Sequence, residues 1–365
     1  MGIRNGSVEG VAVNSAFWQG KRVFVTGHTG FKGGWLVLWL EHLGAIVSGY
    51  ALAPPTEPSF FQVSGLEKRL ASHTIGDIRD FSALGAAMER ARPDIVLHLA
   101  AQPLVRHSYK SPVETYAVNV MGTVNLLEAV RNTPSVKAVV NVTTDKCYEN
   151  HESPRPYRED EAMGGYDPYS SSKACSELVT SAYRRSFLAP NAVQLASARA
   201  GNVIGGGDWA QDRLVPDFLR AADAGETLIV RSPDAIRPWQ HVLEPVSGYL
   251  SLAEQLYVQG APFAEGWNFG PSDSDARPVK WILDHMCAQM PGAAWQLVNA
   301  PQPHEAGILK LDVSKAARLL GWRPRWNLET ALAKTIAWHM AWKRGANMAT
   351  VSLEQIDAFE AARRG

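Results

Sequence analysis

The segment that most constrains this chain is the turn Gly27-His28-Thr29-Gly30-Phe31-Lys32-Gly33, set directly between a β-branched run and a helical pattern. Arg22–Thr26 (RVFVT) before it reads as a buried strand. Gly33–Leu43 after it carries apolar side chains at Trp35, Leu36, Leu38, Trp39 and Leu43, a helical face closed by Gly44. Glycines at 27, 30 and 33 permit a tight turn, close approach of backbone to a pyrophosphate, and close packing of helix on strand. The helix N-terminus then presents N–H groups and a partial positive charge to an anion. The spacing is GxxGxxG. His28 and Lys32 are polar within it, and Lys32 either adds charge near the pyrophosphate or faces solvent.

The same alternation continues. Strands are expected at 45–52, 70–75, 94–100, 137–144 and 192–198, and helices at 80–91, 113–131 and 169–187. This rhythm implies right-handed βαβ units and an α/β fold, a doubly wound parallel Rossmann sheet over residues 17–200. After Gly201 the rhythm breaks at Gly205-Gly206-Gly207, and residues 201–345 read as a smaller C-terminal α/β substrate-binding lobe, with later segments returning to the first domain. Residues 346–365 read as a C-terminal helical tail, and 1–16 as a flexible tail without a signal-peptide pattern.

Lys plus Arg and Asp plus Glu balance at 36 each, which removes any electrostatic reason to expect nucleic acid or a membrane surface as partner. The densest apolar run, 35–40, is too short to span a bilayer. Cys147, Cys175 and Cys287 have no paired spacing, which fits a reducing cytoplasm, and no metal-ligand pattern is present.

Tyr169 and Lys173 stand at i and i+4 on one helix face. A phenol titrates near ~10 in water. A nearby lysine and a nicotinamide's positive charge would lower that value, letting Tyr169 take a proton from an alcohol as hydride leaves the same carbon. The fifth strand ends at Thr143-Thr144-Asp145-Lys146, facing the ligand crevice. Hydride transfer alone needs only a hydroxyl there. An adjacent acid and amine are what an elimination requires. No acidic residue follows the second strand to hold a ribose 2′-hydroxyl, and no Arg to hold a 2′-phosphate; Asp77 and Ile78 after the third strand are placed for adenine, and NAD is favoured over NADP.

With these segments assembled, the chain resembles the extended short-chain dehydrogenase/reductases, specifically the nucleotide-sugar 4,6-dehydratases that act on CDP-glucose. The likeness covers about Gly20 to Gly345 and rests on GHTGFKG (27–33), HLAAQPLVR (98–106), TTDKCY (143–148), MGGYDPYSSSK (163–173), RAGNVIGGGDW (199–209), RPWQHVLEP (237–245) and WNFGP (267–271). Asp145-Lys146 is its most discriminating pair, since dTDP- and UDP-sugar members carry Asp-Glu there.

The resemblance implies that Thr144 hydrogen-bonds the sugar 4-hydroxyl and Tyr169 removes its proton as C4 hydride passes to NAD. Lys173 would hold the nicotinamide ribose and tune the phenol. Lys146 would act at C5, as base or as electrostatic stabiliser of an enolate, and Asp145 would protonate the departing C6 hydroxyl. Hydride return to C6 would give a 4-keto-6-deoxy sugar. NAD contacts are expected from residues 27–33, Asp77, Ile78, Leu99, Ala100, Ala101, Thr143, Tyr169 and Lys173. Substrate contacts are expected from Gln102, Thr144, Asn202, Arg213, Arg237, Asn268 and His304. The stretch His304–Ile308 departs from the family's His-Glu-Ala-His-Tyr. A cytoplasmic homodimer or homotetramer, pairing through the helices at 113–131 and 169–187, and a role in supplying a deoxysugar to a surface polysaccharide such as O-antigen are implied by analogy. A UDP- or dTDP-sugar 4,6-dehydratase or a 4-epimerase on the same scaffold is the alternative reading; the epimerase would have no use for Asp145 and Lys146.

Overall fold

The computed structural model describes residues 13–298 and 308–362. Seven parallel strands form the central sheet: β1 (Arg22–Thr26), β2 (Ile46–Ala51), β3 (Ser72–Ile75), β4 (Ile95–His98), β5 (Ala138–Val142), β6 (Gln194–Ala200) and β7 (Gly266–Phe269). Their order is β7-β6-β5-β4-β1-β2-β3. Every residue of β4 and β5 is buried, as a sheet covered on both faces requires. Helices Phe31–His42 and Leu243–Gln259 pack on one face, with Trp35, Trp39, Tyr249 and Leu250 in the core. On the other face Leu84 and Met88 of Phe81–Ala91 and Leu126 and Leu127 of Gly122–Arg131 cover the sheet.

The chain winds outward from β1 to β3, then returns to β4 beside β1 and winds the other way. The crevice of the site lies at this reversal, where the loops after β1 and β4 meet. Gly27 makes that meeting possible: its φ is 75°, and a Cβ there would lie 2.7 Å from the Ala100 nitrogen. The Thr26 hydroxyl accepts from the Leu99 and Ala100 N–H groups, both at 3.2 Å, tying the two loops together.

The helix expected at 113–131 forms as Pro112–Tyr116 and Gly122–Arg131, joined by a π-turn at Ala117–Met121. That turn aims Asn119 at the site. Its amide donates to the Gln102 carbonyl at 3.1 Å and to Ser172 Oγ at 2.9 Å, beside Lys173.

In the C-terminal lobe Thr227–Val230 pairs with Ala294–Leu297, and helices Leu214–Ala224, Val279–Gln289 and Leu328–Lys343 enclose a core of Phe218, Trp239, Ile282, Leu283 and Leu332. Two expectations are corrected. Residues 13–16 are not a tail: Asn14 caps Ser15–Trp18 and donates to Glu254 at 3.1 Å, while Trp18 is wholly buried. Residues 1–12 lie outside the described residues. Nor is the C-terminal helix Met348–Ala361 a free tail, because Phe359 is buried against Trp39 and Glu360 accepts from the Trp39 indole at 3.0 Å. Among the described residues no helix is long and apolar enough to cross a membrane.

Candidate active site

The helix Pro168–Tyr183 starts with proline in its first turn and Asp167 as cap, accepting from the Ser170 N–H at 2.9 Å and hydroxyl at 2.6 Å. The cap fixes the first turn, and with it Tyr169. Lys173, one turn on, reaches the Val142 carbonyl at the end of β5, Nζ to O 3.5 Å. Both side chains are buried. Burial pushes the Lys173 amine down to about 8, opposed by the Glu177 carboxylate. Burial pushes the Tyr169 phenol up to about 12, opposed by a hydrogen bond with the Thr144 hydroxyl. The expectation that Lys173 lowers the phenol is therefore not met by the protein's own groups, because desolvation outweighs them.

Thr144 caps a single 3-10 turn, Asp145–Cys147, at the mouth of β5. Its hydroxyl donates to Asp145 Oδ1 at 3.0 Å and accepts from the Lys146 N–H at 3.4 Å. Lys146 Nζ lies 3.4 Å from the same Oδ1. Asp145 is wholly buried, and its Oδ2 has no hydrogen-bond partner among the described residues. A Cβ on Gly201 would stand 3.0 Å from that oxygen, so glycine there gives the carboxyl room. Lys146 keeps 27% of its side chain exposed and lines a cleft with Arg237, Asp167 and Ser170.

The glycine turn fits the pyrophosphate of a dinucleotide. Helix Phe31–His42 begins at Gly30 with no side-chain cap among the described residues. A Cβ on Gly33 would overlap the Gly27 carbonyl, whereas one on Gly30 would meet only that carbonyl at 3.4 Å, so the cradle side of Gly30 is open.

Several expected contacts are corrected by side-chain direction. His28 is buried beneath Gly49 and bonded to His73, Nε2 to Nδ1 2.7 Å, so only its backbone faces the cradle; burial pushes this imidazole down to about 3. Lys32 turns away from solvent and sets its Nζ 3.4 Å from the Tyr249 hydroxyl, within the electrostatic reach of Arg213, Lys173 and Asp145. Thr143 donates inward to Glu177, away from the cradle. The Gln102 amide braces its own loop, donating to the Leu104 carbonyl at 3.1 Å and to Thr115 at 3.0 Å. Asn268 is wholly buried; it accepts from Tyr148 and donates to the Tyr157 and Asp312 carbonyls. The Asp77 carboxylate is clamped by Arg79 at 2.6 Å.

Arg213, paired with Asp208 at 2.8 Å, lies near Tyr169, and Arg237 lines the cleft beside Lys146. Asn202 follows β6, its carbonyl accepting from Gln240. His304 lies outside the described residues. Sequence reasoning missed Glu177, Arg199 and Tyr249, of which Glu177 was visible as a charge one turn beyond Lys173 on the same face.

Buried charge at Lys32 carries a stability consequence. Burial, reinforced by Arg213 and Lys173, pushes its amine down to about 7 from 10.5. The cost of holding it charged in the fold is thus fully present below about 7 and fades as pH rises to 10.5. Lys32→Met should stabilise the chain by about 1–3 kcal/mol at neutral pH, with the gain vanishing in alkali. Thermal melts across that range check the sign.

The assembled groups are a phenol, two amines and a carboxyl around a dinucleotide cradle. A family model described as GDP-mannose 4,6 dehydratase matches residues 24–335, and the chain belongs to that family. Among individual relatives, it is 56% identical to the CDP-glucose 4,6-dehydratase of Salmonella typhimurium over 96% of this chain and 99% of the other. It is 25% identical to dTDP-glucose 4,6-dehydratase 1 of Escherichia coli, covering 88% and 93% of the two chains. The fold is shared with the UDP-glucose-4-epimerase of Stenotrophomonas maltophila, with a TM-score of 0.76 at 22% identity over 89% of this chain and all of that one. It is shared too with the dTDP-glucose 4,6-dehydratase of Bacillus anthracis, with a TM-score of 0.73 at 20% identity over 90% and 99%.

Proposed function

We propose that this chain is an NAD-dependent CDP-glucose 4,6-dehydratase, forming CDP-4-keto-6-deoxyglucose and water. The observation that carries the reading is the buried Asp145 carboxyl with Lys146 beside it, joined through Thr144 to Tyr169. The identity to the Salmonella relative over nearly the whole chain supports the choice of nucleotide.

Residues 27–33 and the loop at 99–101 would hold NAD, with Asp77 and Ile78 toward adenine. Bound NAD would accept hydride from C4 and give it back at C6, and its positive charge would bring the Tyr169 phenol down. Tyr169 takes the 4-hydroxyl proton. Lys146, at the lip of the cleft, acts on the C5 hydrogen made acidic by the ketone. Asp145 gives its proton to the departing C6 oxygen, and an oxygen with no donor, such as Oδ2, is where a carboxyl can carry one. Arg213 and Arg237 serve the nucleotide phosphates. Exposed Val113, Met121 and Leu178 on the long helices support pairing into a homodimer or homotetramer, and the reading carries a cytoplasmic location with it. CDP-, UDP-, GDP- and dTDP-glucose should be offered with NAD in parallel. Alkali-stable absorbance of a 4-keto sugar should appear far faster with CDP-glucose; equal rates with dTDP-glucose, or an epimer instead of a ketone, would refute the assignment.

A further inference from the structure

Dehydration leaves a proton imbalance that oxidation or epimerisation does not. The argument rests on the function proposed above. Tyr169 gains the O4 proton as the C4–H electron pair departs as hydride and the C4 ketone forms. The C5 proton is removed and later returned to C5 by the same base, so that group balances. The C6–O6 bond breaks and O6 leaves as water with a proton from Asp145, while hydride arrives at C6. The product remains a ketone, so O4 never reclaims its proton. Each turnover therefore ends with Tyr169 one proton rich and Asp145 one proton poor.

We propose that the Thr144 hydroxyl resets the site by relaying that proton from Tyr169 to Asp145. A hydroxyl has one donor and two lone pairs, and at Thr144 the geometry uses them for this. The oxygen faces the Tyr169 phenol and accepts from the Lys146 N–H at 3.4 Å, while its own proton points to Asp145 Oδ1 at 3.0 Å. A concerted shift moves the phenol proton to Thr144 and the Thr144 proton to Asp145, with no net change at Thr144. Both ends are buried, and the burial that holds the phenol proton tightly also bars its escape through water. An internal path is then the short one.

Thr144→Val keeps the shape and removes the relay. Rapid quench should give a burst of one product per site, followed by steady-state turnover slowed by roughly 100-fold, the size of a lost proton-transfer group. Imidazole should accelerate that slow phase, and Thr144→Ser should restore it. A first turnover slowed as much as the later ones, with no burst and no response to imidazole, would assign Thr144 to substrate binding alone and overturn the relay. Unchanged turnover would overturn it as well. Should valine disturb the fold by circular dichroism, Thr144→Ala takes its place, and wild-type turnover must be independent of imidazole. A wild type that forms no 4-keto sugar would instead remove the reaction on which the relay depends.

Discussion

Asp145→Asn should stop dehydration while leaving C4 oxidation and C5 exchange in place. The amide retains an oxygen for the Thr144 hydroxyl, which donates to Oδ1 at 3.0 Å, so the turn Asp145–Cys147 keeps its cap geometry. It cannot give up a proton to a leaving hydroxyl. Turnover to the 6-deoxy product should fall by about 10²–10⁴-fold, the usual contribution of a placed acid. In deuterated water the variant should still wash deuterium into C5 of CDP-glucose, because Lys146 is untouched. Lys146→Met should lose both the wash-in and the product. The pair of variants thus separates proton removal from proton donation. Product formation by Asp145→Asn at the wild-type rate would mean that some other group is the acid, and Asp145 would be left as an anchor for Lys146 at 3.4 Å.

The strands of the sheet were readable because both faces are covered. Such strands are continuous apolar runs, as in Val139-Val140 and Val23-Phe24-Val25, with helices of recognisable period between them. Helix Leu243–Gln259 was not readable, since thirteen of its residues are buried and a helix buried all round has no polar face to set a period. The four-residue strand β7 gave too short a pattern. At the site, Tyr169, Lys173 and the Thr144–Lys146 run were legible because their places follow from a helix face and a strand end. His28, Gln102 and Asn268 were misjudged for the opposite reason. They sit in irregular loops or at buried strand positions, where the partner that captures the side chain comes from distant sequence: His73, Thr115 and Tyr148. Sequence spacing carries no information on such partners.

Arg199→Met should be the most destabilising single change at the back of the site, by about 3–5 kcal/mol. Arg199 and Glu177 are each 5% exposed and form a two-pronged pair, Nε to Oε1 3.0 Å and Nη2 to Oε2 2.9 Å. Glu177 also accepts from Thr143 and from Ser197, and Arg199 donates to Tyr148 at 2.7 Å and to the Glu159 carbonyl at 3.0 Å. Removing the guanidinium leaves a buried carboxylate without its counter-charge. Replacing both partners removes the charge altogether, so Arg199→Met with Glu177→Leu should recover a large part of the loss in denaturant titration. A double variant no more stable than the single one would show that the pair acts through packing, not charge. Desolvation disfavours the Glu177 carboxylate, but Arg199 and its hydrogen bonds outweigh that and hold the carboxyl below its ordinary 4.5. Its contribution is therefore complete above about 4.5 and is lost only as acid reaches the lower folded value. Glu177 also stands one turn below Lys173 and favours its charged form, so the double variant should stay folded yet shift the alkaline limb of turnover downward as Lys173 loses its proton more easily.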